Sequence, residues 1–432
     1  MHGKLFDLET KLKSPSENQN QNQGQNQNQN QVSEILKSID KVFKDAETGK
    51  PFLGWMRLPH EDLAMKEVSR WLKTVKKNQT TLCVFGIGGS CLGAKAVYDF
   101  LQPEKSVLFF DNIDGHSFEA RLAKIKLKTA HFLLISKSGE TSETLFQTAH
   151  LFDLLTRQKL KIFDHVTIIT EKKDSTLTRI GNEFGLQSLS VPLDVGGRFS
   201  VFSQVGLAPL MWAGVPVKKM LKGAELIKSD RELIAKAAGF YLNSFRNNES
   251  ISIFWFYVEN LRTFGLWLQQ LWAESLGKSK DRSGLKASLA STPLSCIGAT
   301  DQHSLLQQFT EGARDKSFLF VRCAESEKSS KIKKIISKEL SLAKGRSVGE
   351  LLGIEASATQ KIVESLGIST ACLKFENIDA QNLGALLFLF QILVATLGEV
   401  LNLNAFDQPG VEGVKKVTLG TLGDLRFKDH AL

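Results

Sequence analysis

Apolar positions along the chain fall into short β-rich runs separated by amphipathic stretches of helical length. Thr81 to Phe85 (TLCVF), Ser106 to Phe110 (SVLFF), His131 to Ile135 (HFLLI) and Val166 to Thr170 (VTIIT) form a first series. That alternation is what parallel βαβ units produce, so it predicts one doubly wound sheet. A second series starts near Ser250 (SISIFWF), continues through Ser317 to Arg322 (SFLFVR) and Thr370 to Phe375 (TACLKF), and ends in a long apolar helix. It predicts a second sheet of the same kind. The stretch Val217 to Arg246 is charged, has a helical period and reads as a connector between the halves. The most apolar segment, Leu383 to Leu397, is interrupted by Gln391 and is shorter than the ~20 residues of a membrane span, so a buried core helix and no membrane contact are expected. From Asn18 to Gln31 every residue except Gly24 is Asn or Gln. Such a run buries too little to offset its ordering entropy and reads as a disordered insert.

The pattern therefore predicts an α/β chain: a three-layer αβα sandwich of two doubly wound parallel-sheet subdomains with a C-terminal helical segment. The expected boundaries are an N-terminal segment 1–45 with the insert at 18–31, a first α/β domain 46–220, a second 221–410, and a helical segment 411–432. Length supports this, since 432 residues suffice for two large units. Composition is that of a globular protein, with 42% hydrophobic and 23% charged residues. Lys plus Arg number 55 against 46 acids, a net +9, and the basic residues read as dispersed. That favours an anionic small molecule over nucleic acid as a partner. Five scattered cysteines without a C-x-x-C pair indicate neither zinc nor a disulfide framework, and the N-terminus has no signal-peptide pattern; a reducing, cytoplasmic setting is expected.

Candidate chemistry lies where predicted strands give way to helices. Gly86 to Gly93 (GIGGSCLG) follows the first strand, and its glycines would let backbone N–H groups approach an anion at a helix start. Its spacing is not the dinucleotide G-x-G-x-x-G, which disfavours an oxidoreductase. Ser136 to Thr144 (SKSGETSET) gathers hydroxyls and one ammonium at another helix start, a cradle for a phosphate dianion; a Ser/Thr-rich N-cap is the plainer reading. In Gly196 to Ser203 (GGRFSVFS), Arg198 follows two glycines and could meet an oxyanion or simply a salt-bridge partner. In Trp267 to Lys278 (WLQQLWAESLGK), Gln270 and Glu274 stand four apart on one helix face. Bulky neighbours would desolvate the Glu274 carboxylate towards general-base use, although a solvated Glu is the commoner fate. His303 in Ala299 to Ser304 (ATDQHS) is a candidate acid/base, and no second His or Cys stands at metal-ligand spacing. In Asn404 to Lys415 (NAFDQPGVEGVK), a Pro-Gly turn starts a last helix and projects Gln408 and Lys415.

Together, and in this order from Phe85 to Lys415, these blocks resemble the glucose-6-phosphate isomerase family of the SIS (sugar-isomerase) type, carried most specifically by GGRFSVFS, QQLWAESLGK, DQHSLLQ and FDQPGVEGVK. The resemblance implies two SIS-like subdomains and cofactor-independent interconversion of glucose 6-phosphate and fructose 6-phosphate, in glycolysis and gluconeogenesis, through ring opening and a cis-enediolate. It assigns Glu274 as the base between C2 and C1, Arg198 as the oxyanion partner, His303 and Lys415 to ring opening, and Glu143 to orienting the histidine. Ser136, Lys137, Ser138 and Thr141 would hold the phosphate, helped by Gly89 and Ser90 on the sugar side and by Gln270 and Gln408. A homodimer sharing His303 across its interface is implied. Action on mannose 6-phosphate as well, or a non-catalytic sugar-phosphate regulator, are the alternatives. Glu140 puts a negative charge in the phosphate loop and is expected to point outwards.

Overall fold

The computed structural model of the chain describes residues 5–13, 21–288 and 290–432. An N-terminal strand, β1 (Asp7–Lys11), precedes five strands of one sheet: β2 (Thr81–Phe85), β3 (Val107–Phe110), β4 (Ala130–Ile135), β5 (Val166–Glu171) and β6 (Gln187–Val191). A second set comprises β7 (Ile251–Tyr257), β8 (Thr292–Ile297), β9 (Lys316–Cys323) and β10 (Thr370–Phe375). The first sheet has the order β3-β2-β4-β5-β6 and is parallel throughout. The second has the order β1-β10-β9-β7-β8, parallel except that β1 runs antiparallel to β10, with Asp7 opposite Lys374. It is thus a mixed sheet, where the sequence pattern predicts a purely parallel one.

The predicted apolar runs all became strands, within one residue at most ends. Three strands escape the pattern because they are edges. A strand paired on one side only has less to bury and tolerates polar residues and proline. β6 is QSLSV with two buried residues, β8 carries Pro293, and β1 buries Leu8 alone. Between the sheets lies one continuous apolar core that takes Leu82 and Val84 from β2, Phe254 and Phe256 from β7, and nearly all of the helix Ala380–Val400. That helix is long and apolar enough to cross a membrane, but it is enclosed by the rest of the chain. The stretch read as a connector forms the helices Val217–Lys228 and Arg231–Arg246, whose apolar faces (Met220, Ile227, Ile234, Tyr241) also enter this core. It is core, not linker, because its charges occupy only the outer face.

Two further expectations are corrected. Residues 18–20 of the Asn/Gln run lie outside the described residues, but from Gln21 the run forms the first turns of the helix Gln21–Glu47 rather than a disordered insert. Downstream, Ile35, Ile39, Val42 and Ala46 bury one face of that helix, and adding turns to an established helix costs far less than nucleating one. Gln31 anchors the junction, accepting from Arg246 Nη1 at 2.6 Å. The basic residues are also less dispersed than they read: Lys328 to Arg346 holds seven Lys or Arg against Glu339 alone, all seven exposed, which is six of the nine net charges.

In each sheet the first parallel strand lies between the second and the third, β2 between β3 and β4, and β7 between β8 and β9. The direction of winding reverses there, and the carboxyl ends of β2 and β4 flank a crevice of the kind in which open α/β sheets bind ligands. Both Gly86 to Gly93 and Ser136 to Thr144 leave strands at that crevice.

Candidate active site

After β2 the chain makes one short turn, Gly88–Ser90, before the helix Leu92–Leu101. Gly89 packs its bare backbone on the arginine-bearing segment: a Cβ there would fall 2.3 Å from the carbonyl carbon of Gly197. Ser200 Oγ donates to Gly89 O at 3.2 Å and to Gly197 O at 2.7 Å, tying the two turns together. Ser90 is half-buried on the same turn. After β4, Ser136 to Thr141 curl into a hydroxyl cluster. Ser136 Oγ lies 2.8 Å from Thr141 Oγ1 and 3.5 Å from Ser138 Oγ, and it accepts from Gly139 N at 3.1 Å. The helix Ser142–Arg157 begins immediately after, so its unpaired N–H groups point at the cluster. Lys137 reaches Glu171 Oε1 at 3.2 Å, a carboxylate that Lys173 also contacts. Glu140 turns outwards as expected, accepting from Thr176 N at 2.7 Å and Thr176 Oγ1 at 2.9 Å.

Arg198 is 3% exposed and has each of its five N–H groups on an acceptor. Nε donates to Ser275 Oγ at 2.7 Å. Nη1 donates to Glu274 Oε2 at 3.1 Å and to Gln408 Oε1 at 2.8 Å, and Nη2 to the carbonyls of Ala405 at 2.6 Å and Asp407 at 3.1 Å. Burial pulls its pKa below the ordinary arginine value, with Glu274 opposing. Gln270, one helical turn before Glu274, donates to Glu274 Oε1 at 2.9 Å, so both carboxylate oxygens are held. Gln270 also abuts the glycine turn, where a Cβ on Gly88 would fall 2.8 Å from its Nε2. The helix Arg262–Leu276 ends here because Gly277 and Lys278 stop it; Lys278 Nζ folds back to Glu274 O at 2.8 Å and crosses to Asp407. Burial lowers the Lys278 pKa, and the Asp407 pairing partly offsets it.

A cleft of about 1320 Å³ opens beside this cluster, with Glu274, Lys278, Gln408 and Phe52 among the residues on its wall. Phe52 is held in the left-handed region at φ 68°, an unusual place for a bulky residue, and its ring lies 5.8 Å from Lys137 Nζ. It therefore connects the hydroxyl loop to the cleft. Within one chain the structure brings together Arg198, Glu274, Gln270, Gln408 and the Gly89–Ser90 turn, with Ser136, Lys137, Ser138 and Thr141 at the neighbouring strand end. Three candidates stand apart. His303 is exposed after β8 and lines no part of the cleft. Lys415 is exposed on the helix Glu412–Thr421 and pairs with Glu412 at 2.7 Å. Glu143 is half-buried in the first turn of its helix, with no bond to His303. Sequence reasoning passed over Ser275, Lys278, Asp407 and Phe52. The first three lie inside quoted blocks, and only their contacts across the fold single them out. Among the described residues no three His, Cys, Asp or Glu side chains converge as a metal-holding group.

Comparison with known proteins fits this arrangement. The chain is 34% identical over 373 residues to the glucose-6-phosphate isomerase of Campylobacter jejuni, covering 83% of this chain and 89% of that one. It is 36% identical over 364 residues to a probable glucose-6-phosphate isomerase of Haloquadratum walsbyi, covering 82% of each. Among solved structures, a hypothetical protein of Thermus thermophilus superposes with a TM-score of 0.83 at 29% identity, covering 90% of this chain and 94% of that one. A glucose-6-phosphate isomerase of Chlamydia trachomatis shares the fold with a TM-score of 0.78 at 22% identity, over 91% and 85% of the two chains. The family model described as phosphoglucose isomerase matches residues 60–427, every segment of the cluster included, and the chain belongs to the phosphoglucose isomerase family.

Proposed function

We propose that the chain interconverts glucose 6-phosphate and fructose 6-phosphate without a cofactor. The observation that carries this is the direct contact of a buried arginine with a partly exposed carboxylate, Arg198 Nη1 to Glu274 Oε2 at 3.1 Å, on the wall of a cleft. Aldose–ketose isomerisation needs both groups at neighbouring atoms. Glu274 takes the C2 proton, the C2–H electrons form the C1–C2 double bond, and the carbonyl oxygen becomes negative. Arg198, which cannot deprotonate, stabilises that oxygen without exchanging protons. The O2 hydroxyl proton passes to O1, which leaves the negative charge on O2; Glu274 then delivers its proton to C1, the C1–C2 π electrons form the new C1–H bond, and O2 becomes the ketose carbonyl. Gln270 and Gln408 hold the two groups in register, since each bonds one of them. The hydroxyl loop from Ser136 to Thr141 takes the phosphate, with Lys137 turning from Glu171 to the dianion.

Ring opening needs a second proton-transfer centre, away from C2. We assign it to His303 and Lys415, with Glu143 orienting the imidazole. The exposure of His303, away from the Glu274 cleft of its own chain, supports a homodimer in which the histidine serves the partner's site. All five cysteines are buried and unpaired, which supports a reducing, cytoplasmic setting.

The test is a coupled assay of purified chain with glucose 6-phosphate in the presence of a chelator. Fructose 6-phosphate is expected, and its absence would refute the reading. Glu274→Gln should retain substrate binding and lose turnover by on the order of a hundredfold or more, the usual consequence of removing a general base. Lys137→Ala should raise KM and weaken inhibition by inorganic phosphate.

A further inference from the structure

We infer that Lys278 is a positioning residue that locks the base-bearing helix to the loop carrying Gln408, an assignment that rests on Glu274 being the base. Its side chain is 6% exposed although it lies beside the cleft. Lysine is seldom buried without a dedicated partner, because its ammonium is strongly hydrated. Here all three N–H groups are used: Glu274 O at 2.8 Å, Asp407 O at 2.5 Å and Asp407 Oδ1 at 2.9 Å. The first bond holds the peptide of Glu274 itself, where the last turn of the helix has carbonyls with no helical partner. The other two hold the residue preceding Gln408. Asp407 O also accepts from Arg198 Nη2 at 3.1 Å, so two cations converge on a single carbonyl. Asn404 Nδ2 fixes the other carboxylate oxygen of Asp407 at 2.8 Å.

The consequence is geometric. Arg198 sees Glu274 and Gln408 through side-chain bonds that substrate must displace or share. Lys278 ties the same two segments through the backbone carbonyls of Glu274 and Asp407 and through the Asp407 carboxylate, none of them a group assigned to the substrate. The base and the sugar-binding amide therefore keep their separation while Arg198 changes partners during turnover. Without that tie, the base would sample positions off the line between C2 and C1, and displacements of about 1 Å at a reacting centre cost on the order of a hundredfold.

Lys278→Met keeps an unbranched apolar stem of nearly the same length and removes the three donors. It should lower kcat by about ten- to a hundredfold with KM changed less than about threefold, because binding groups remain while alignment is lost. A second readout separates alignment from general damage. In deuterium oxide, the product carries solvent deuterium in proportion to how often the base loses its proton before returning it to C1. A poorly held base should raise that deuterium fraction, which a merely less stable enzyme would not. Lys278→Arg, which keeps a cation able to reach Asp407, should restore part of kcat. If Lys278→Met does not fold, Asp407→Asn removes the charge facing Lys278 but leaves both carbonyl bonds, and should move both readouts in the same direction by less. Unchanged kcat and deuterium fraction in the folded variants would overturn the inference. Glu274→Gln in the same assays keeps the two claims apart: normal turnover in that variant overturns the base itself, whereas its loss alongside normal Lys278→Met overturns only the positioning role.

Discussion

Arg198 shows how far a single residue's chemistry is legible before its surroundings are known. Its position after two glycines suggests access to a cleft, yet a surface salt bridge fits the same residue equally well. Only the fold supplies Ser275, Glu274, Gln408 and two carbonyls, and with them the five-fold saturation that fixes the plane of the guanidinium. Glu140 was legible in the opposite sense: a carboxylate inside a phosphate loop must turn away, and it does so onto Thr176. Glu249 was not legible at all. It is 1% exposed, accepts from Ser369 N at 3.3 Å and leaves Oε2 without a partner among the described residues. Burial raises its pKa above the ordinary carboxylate value. The folded state then holds the proton more tightly than the unfolded state, so stability falls as pH rises from the ordinary carboxylate pKa through the raised one. Glu249→Gln should therefore raise Tm at neutral pH, with the gain vanishing below the ordinary carboxylate pKa. A Tm difference independent of pH would show that the carboxylate carries no such cost.

At the scale of elements, the interior strands and the apolar edge strand β3 were readable, and the three other edge strands were not. β4 and β5 are buried along their whole length because both faces are covered, whereas β1 and β6 need only one or two buried side chains. The turn after β4 is the element to which we assign phosphate binding, and its shape requires glycine. Gly139 has φ 71°, and a Cβ there would fall 2.1 Å from Ser175 Oγ, the residue that caps the helix Thr176–Glu183. Gly139→Ala should cost at least about 1 kcal/mol from the left-handed backbone alone. It should also push the hydroxyl cluster off its geometry, raising KM for the phosphate substrate more than it lowers kcat. Thermal unfolding and steady-state kinetics read the two effects; wild-type values of both would mean that the turn relaxes without consequence.

At the scale of the whole molecule, His303 is exposed and stands apart from the cleft that Glu274 lines. If the histidine serves a partner subunit, mixing the inactive variants Glu274→Gln and His303→Ala should restore activity, since each hybrid dimer contains one site with both native groups. Random reassortment would return about a quarter of the wild-type activity. No recovery after verified subunit exchange would place the histidine in its own chain's site. The sequence alone determined the α/β class, the two series of strands and the blocks to which we assign the chemistry, because short β-rich runs, helical spacing and strand-to-helix turns depend on neighbours within a few residues. Tertiary structure decided which side chains meet. Arg198, Glu274, Lys278 and Asp407 are separated by up to 209 positions and touch only because a reversal of strand order and a shared core bring three segments to one point. It also decided that a charged stretch is core and that a polar run continues a helix. Burial is a property of what packs against a segment, and where charged or polar residues dominate the segment its local pattern does not carry that information.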